Sequence, residues 1–174
     1  MSPFYVPVNI YFNLTAAVFD LVLLIFLDLQ YGNTTKHSRA FRNWLFATMF
    51  ASFADVLLHA IMDALLGAAG LPDIGHYFPD TDPRYEGADS KKLMLEVARV
   101  LSEEGWQAGN VDSTVIAEKP KLAPHIAEMK ASIAHLLGIS ENQVGVKATT
   151  NEKLGAVGRR EGMAALASVI IYRK

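Results

Sequence analysis

Asp55, His59 and Asp63 stand at i, i+4 and i+8 in an otherwise apolar run, DVLLHAIMDALLGAAG. In a helix that spacing places all three on one face. Such a stripe can line a site, with the imidazole as a metal ligand; a lone His on an apolar face can equally be a hydrogen-bonded core residue. Further on, Phe78-Pro79-Asp80-Thr81-Asp82-Pro83 is a rigid, acidic, loop-forming stretch. Its carboxylates can meet sugar hydroxyls or a cation, or it is a solvated connector. Thr149, Thr150 and Glu152 offer hydroxyls and a carboxylate close together, and hard divalent cations that bridge phosphates prefer oxygen ligands. The AEKPKLA stretch, Ala117 to Ala123, carries Lys121. It reads as a turn with a cationic rim.

The elements that must hold these groups follow from periodicity. Residues 55–70 carry a helical pattern, closed by the proline and glycine signals of Leu71-Pro72-Asp73-Ile74-Gly75. Ser90 to Glu104 is predicted as a helix with Leu93, Val97, Val100 and Leu101 on its apolar side, closed by Gly105 and Gly109. Val111 to Ala117 alternates as a strand. Pro120 breaks the chain, a helix follows over 126–137 and ends at Gly138, and strands are predicted over 144–150 and 163–172. Strands separated by helices imply an α/β or α+β sandwich with helices packed on a sheet.

Composition narrows the chemistry. The chain has 174 residues and a net charge of −2, which gives no reason to expect a nucleic-acid partner. There is no cysteine, so disulfides, Cys-ligated zinc and thiol nucleophiles are excluded.

Four motifs in order, DVLLHAIMDALLGAAGLPDIG, HYFPDTDPRYEGADS, GNVDSTVIAEKPKLAPHI and VKATTNEKLGAVGRREG, resemble the 2-C-methyl-D-erythritol 2,4-cyclodiphosphate synthase family over residues 55–174. The resemblance implies an α+β fold with helices on one face of a mixed sheet, a homotrimer, and intramolecular phosphoryl transfer that expels CMP from a cytidine diphosphate substrate. It places zinc on His59 and magnesium or manganese on Glu152. It gives Asp73 and Gly75 the methylerythritol hydroxyls, with Ile74 between them, and makes Phe78, Pro79, Asp80, Thr81 and Asp82 a mobile flap. Cytosine and ribose fall to Ala117, Pro120, Lys121, Leu122 and Ala123. Phosphate contacts fall to Thr149, Thr150, Asn151, Glu152 and Arg159, with Thr150 and Glu152 as the catalytic pair. Ala156 replaces what is often Phe near the trimer's channel, and Glu86 stands where many members have Lys. Ser52 matches the Ser of a family loop reading approximately His-Ser-Asp-Ala; its neighbours here are Ala51 and Phe53.

The same resemblance marks an absence. The family opens with a strand carrying an Asp-x-His metal pair, and no Asp-x-His occurs in this sequence. His59 is then one ligand of an incomplete zinc site, and weak or absent turnover is expected. Residues 1–53 read as a foreign segment ahead of a synthase-like domain over 54–174, which would lack the family's first strands. Ile10 to Leu27 is nearly continuous apolar sequence, spanning roughly 27 Å as a helix. Its Leu, Ile, Val and Phe residues favour insertion by roughly −4 to −7 kcal/mol, against roughly +3 kcal/mol for Asp20. Residues 10–29 are therefore predicted to be helical and available for membrane association, and residues 44–71 form a second apolar helix pattern. The family implies a cytoplasmic enzyme. The alternative is a non-catalytic, chimeric or membrane-tethered protein with a synthase-like scaffold.

Overall fold

The computed structural model describes residues 54–85 and 87–174. The predicted helix at 10–29, the start of the pattern at 44–71, Ser52 and Glu86 lie outside the described residues. Residues 54–174 belong to one compact unit.

Residues 54–68 form helix α1. It ends because Gly70 adopts φ 73°, letting Gly70 N donate to Gly67 O (3.1 Å) and Leu71 N to Leu66 O (2.9 Å). These paired bonds satisfy carbonyls that the helix end would otherwise leave open. Leu57, Ile61, Met62, Leu65 and Leu66 are fully buried. A one-turn helix α2, Ile74–Tyr77, follows, where the sequence pattern indicated only a helix stop. Two carboxylates create it: Asp73 Oδ1 accepts from His76 N (3.0 Å) and Asp63 Oδ1 accepts from Ile74 N (2.9 Å). Side-chain acceptors at a helix start replace partners the first N–H groups lack.

Helix α3, Ser90–Glu103, is N-capped by Asp89, whose side chain accepts from Lys91 N. Its buried stripe is Ser90, Met94, Val97 and Leu101. Met94 is fully buried where the periodic reading favoured Leu93 and Val100, which are half-buried. Helix α4, Ile126–Leu137, turns Met129, Ile133, Ala134 and Leu136 inward and stops at Gly138 in the left-handed conformation. Burying Met129, Ile133 and Leu136 is worth about 1.5–3 kcal/mol each.

The sheet has three strands, β1 Trp106–Ile116, β2 Val144–Thr149 and β3 Ala164–Arg173, in the order β2-β1-β3. β1 runs parallel to β2 and antiparallel to β3. The architecture is thus α+β with a mixed sheet, as the motifs implied. Helix α3 packs on β1 and on α4, and α4 packs on β2. Val111, Ser113 and Val115 of β1, Val144 and Val146 of β2 and Ala165 of β3 are buried. Ser113 lies in the apolar layer because its hydroxyl donates to Gly145 O (2.9 Å). On the other face, Asp112 pairs with Lys147 (2.7 Å), and Leu166, Ile170 and Tyr172 are exposed.

One expectation is corrected here. Gly109 does not close helix α3; it lies inside β1, which starts at Trp106 rather than Val111. Gly105 at φ 77° alone turns the chain out of the helix. Gly109 sits where the pairing shifts between Ala108 and Asn110, and a Cβ there would meet the Tyr172 ring at 2.9 Å. Glycine inside a strand often marks such an irregularity or a close approach. Arg173 stacks 4.1 Å above the Trp106 ring, securing the early start of the strand.

Candidate nucleotide and cation site

The polar stripe of α1 does form one face, and each member is engaged. His59 Nδ1 lies 2.7 Å from Asp55 O, one turn back, and Asp63 supports the start of α2. Partial desolvation raises the Asp55 carboxyl above its ordinary range, opposed by a hydrogen bond with Ser90 and by attraction to His59. Asp63 is likewise raised, first by desolvation, against its hydrogen bond from Ile74. Among the described residues, no three His, Cys, Asp or Glu side chains gather as a metal-binding group. The described donors by themselves do not make a zinc site, which takes three protein ligands and an open position in zinc enzymes. Asp55 and Asp63 therefore do not complete His59.

Asp73 adds like-charge repulsion to the Asp63 carboxyl; Ile74 is buried and Gly75 exposed. The acidic stretch beyond is a run of turns: Asp82 N donates to Pro79 O, Tyr85 N to Asp82 O and Ala88 N to Tyr85 O. Phe78 packs edge-on against Tyr85, with ring centroids 5.4 Å apart. Asp82 is committed to Arg84 through Nε at 3.0 Å and Nη2 at 2.6 Å, and the guanidinium holds its carboxyl below the usual range. Asp80 and Thr81 are exposed.

The second cluster forms where β1 and β2 end side by side. Because these strands are parallel, their carboxyl ends deliver two loops to the same edge, where ligands of open α/β sheets commonly bind. Ala117 N donates to Thr149 O (2.9 Å), so the loop after β1 and the loop after β2 start in register. Leu122 is buried and anchors the first loop, while Lys121 beside it is exposed. The Lys119–Pro120 peptide is cis, and Ala123 opens a 3-10 turn, Ala123–His125, before α4. In the second loop, Thr150 Oγ1 donates to Glu152 Oε1 (2.8 Å) and Thr149 lies exposed beside them. Asn151 Nδ2 donates to Leu154 O (2.7 Å). The hydroxyl and carboxylate oxygens of Thr149, Thr150 and Glu152 are the hard donors that magnesium or manganese takes together with phosphate oxygens.

Helix α5, Gly155–Gly158, carries Ala156, half-buried, and is followed by Arg159. Arg159 grips Glu161 through Nε (2.6 Å) and Nη2 (3.0 Å), and that hydrogen-bonded pair lowers the Glu161 carboxyl below its usual range. Two residues that the sequence reading passed over shape this cluster. Glu118 reaches across from the first loop to accept from the backbone of the second at Asn151 (3.1 Å) and Lys153 (3.0 Å). Gly158 lies so close to Lys153 that any Cβ would overlap its backbone. The lone acidic residue of AEKPKLA and the glycine-rich LGAVG run were the available signals.

No helix among the described residues is long and apolar enough to cross a membrane.

Comparison with known proteins gives one result. The chain matches the YgbB family over residues 46–172, so the match reaches back past Asp55. It is 56% identical over 123 residues to the 2-C-methyl-D-erythritol 2,4-cyclodiphosphate synthase of Nostoc punctiforme, covering 71% of this chain and 77% of that protein. Among solved structures it resembles the bifunctional IspDF of Campylobacter jejuni, with TM-score 0.66 and 45% identity, over 68% of this chain; it spans only 32% of that longer protein. It also resembles IspF of Plasmodium falciparum in its CDP complex, with TM-score 0.60 and 31% identity, covering 68% of this chain and 71% of that one.

Proposed function

We propose, since this chain belongs to the YgbB family, that its residues 54–174 form a cyclodiphosphate-synthase domain that retains the nucleotide and cation half of the site and holds an incomplete zinc half. The observation that carries this reading is the pairing of the two loops at the carboxyl ends of parallel β1 and β2, joined through Ala117 N and Thr149 O. CDP occupies the corresponding protein in one solved relative. Here Ala117, Pro120, Lys121, Leu122 and Ala123 would hold cytidine. Thr149, Thr150, Asn151 and Glu152 would meet the diphosphate.

The proposed reaction uses 4-diphosphocytidyl-2-C-methyl-D-erythritol 2-phosphate. A 2-phosphate oxygen attacks the β-phosphorus, a new P–O bond closes the ring, and the bond between the β-phosphorus and the bridging oxygen breaks to release CMP. No protein nucleophile is needed, so the chain's work is positioning and charge neutralisation. A divalent cation bound by Glu152 would neutralise phosphate charge. Lys121 would supply a fixed positive charge at the loop rim, and Thr150 a hydroxyl to a phosphate oxygen. Asp73 and the turn-rich stretch from Phe78 to Asp82 would meet the methylerythritol hydroxyls. No step is assigned to zinc, because His59 lacks partner ligands among the described residues. A homotrimer, with Arg159 and Ala156 near its axis, is supported by the apolar outer face of β3, where Leu166, Ile170 and Tyr172 are 45%, 64% and 47% exposed.

Calorimetric titration of CDP tests this reading. Binding is expected to require magnesium or manganese, and Glu152→Ala is expected to weaken it at least ~10-fold, the scale of one lost charge-assisted contact. Absence of CDP binding to the unaltered chain at any cation concentration counts against it.

A second reading, a non-catalytic membrane-tethered or chimeric scaffold, rests on the family match beginning only at residue 46 and on the apolar run at 10–29. Sedimentation of the expressed chain with membranes, resistant to high salt, supports it; recovery in the soluble fraction opposes it.

A further inference from the structure

The loop that would hold the cation is built in a conformation that its own residues do not favour. Glu152 has φ 50° and Lys153 φ 62°, two successive side-chain-bearing residues in the left-handed region, where such residues are uncommon and strained. Backbone N–H groups that converge in such a turn form a concavity suited to an anion. An anion is present: one carboxylate oxygen of Glu118, Oε1, accepts from both Asn151 N at 3.1 Å and Lys153 N at 3.0 Å. Glu152 is the residue between these two donors. With its neighbours fixed on either side, its side chain turns to the Thr150 hydroxyl at 2.8 Å. On the other side of the loop, Gly158 admits the Lys153 backbone at a distance no other residue would allow.

We propose that Glu118 is a positioning residue: its carboxylate clamps the Asn151–Lys153 backbone, sets the orientation of the Glu152 carboxylate toward a divalent cation, and links that orientation to the nucleotide loop in which Glu118 itself lies. The inference rests on the cation and nucleotide roles proposed above. Glu118 touches neither cation nor nucleotide. It acts through the backbone of the loop, so a cation placed by Glu152 and a cytidine placed by Ala117, Pro120, Lys121, Leu122 and Ala123 each favour the arrangement the other needs.

The test compares the full-length chain with Glu118→Ala and Glu118→Gln. The Gln carbonyl still accepts hydrogen bonds at the same reach. Two readouts are taken: backbone amide exchange at Asn151 and Lys153, and the manganese concentration giving half-maximal CDP binding. Glu118→Ala is expected to speed exchange at those two amides by ~10-fold or more and to raise the manganese midpoint by about 10-fold. Glu118→Gln is expected to restore both to within about threefold of the unaltered chain. The proposal is overturned if Glu118→Ala leaves both readouts unchanged, if exchange rises equally along β1 and β2, or if Glu118→Gln behaves as Glu118→Ala. If the unaltered chain binds no CDP, the nucleotide reading fails, and amide exchange alone still decides whether Glu118 holds the loop.

Discussion

Supplied with zinc, magnesium and the diphosphocytidyl substrate, the full chain is expected to release CMP at least about a thousandfold more slowly than the Nostoc punctiforme relative assayed beside it. A Lewis-acidic metal contributes several kcal/mol of transition-state stabilisation, and about 4 kcal/mol corresponds to about three powers of ten in rate. His59 has Nδ1 on the Asp55 carbonyl, which leaves Nε2 as the one ligand it can offer, and the carboxylates beside it are committed elsewhere: Asp63 to Ile74 N, Asp55 to Ser90. His59→Ala should then change the residual rate little. Turnover at roughly 1 s⁻¹ or faster, abolished by His59→Ala, contradicts the reading of an incomplete zinc half.

Replacing Gly158 by Ala should have the largest structural effect of any single methyl addition near the site. The new Cβ would lie 2.7 Å from both the Cα and the carbonyl oxygen of Lys153, and closer still to its carbonyl carbon. The obstacle is backbone, so no side-chain rotation relieves it. Either α5 or the 151–153 loop must move. Overpacking of this kind costs about 3 kcal/mol, which for a domain of this size lowers Tm by roughly 10 °C. Because Lys153 N is also one of the two donors to Glu118, cation-dependent CDP binding should fall with it. Thermal melting and CDP titration check both effects. Gly158→Ala with unchanged Tm and unchanged CDP affinity would show that the loop accommodates the methyl group.

The sequence carried most of the secondary structure and less of the site's wiring. Helix α4 and its stop at Gly138 follow from local periodicity and a single left-handed residue. Strands β2 and β3 follow from alternation and branched side chains. The start of β1 at Trp106 did not, because WQAGN has no alternation and only Trp106 as a strong strand former, and its pairing partner is the distant segment around Arg173 and Tyr172. The α2 turn was hidden for a related reason: it depends on Asp63, a residue in another helix, accepting from Ile74 N. Motif order assigns the nucleotide and the phosphates to the two loops that begin side by side after β1 and β2. It could not show that Glu118 binds backbone 33 and 35 positions away, since a contact of that span leaves no periodic trace.

The same limit applies to the zinc ligands. Motif comparison identifies which family ligands have no match, while only geometry shows whether neighbours substitute for them. Around His59 the described carboxylates serve helix starts and helix neighbours instead. On the reading proposed above, the body holds a nucleotide diphosphate with a hard cation, and His59 has no partner ligands for zinc among the described residues.

Titration of zinc into the purified full-length chain, read by calorimetry beside His59→Ala, tests this most directly. No saturable zinc site is expected in the micromolar range, and no difference between the two proteins. One zinc per chain bound tightly, and lost in His59→Ala, would contradict it.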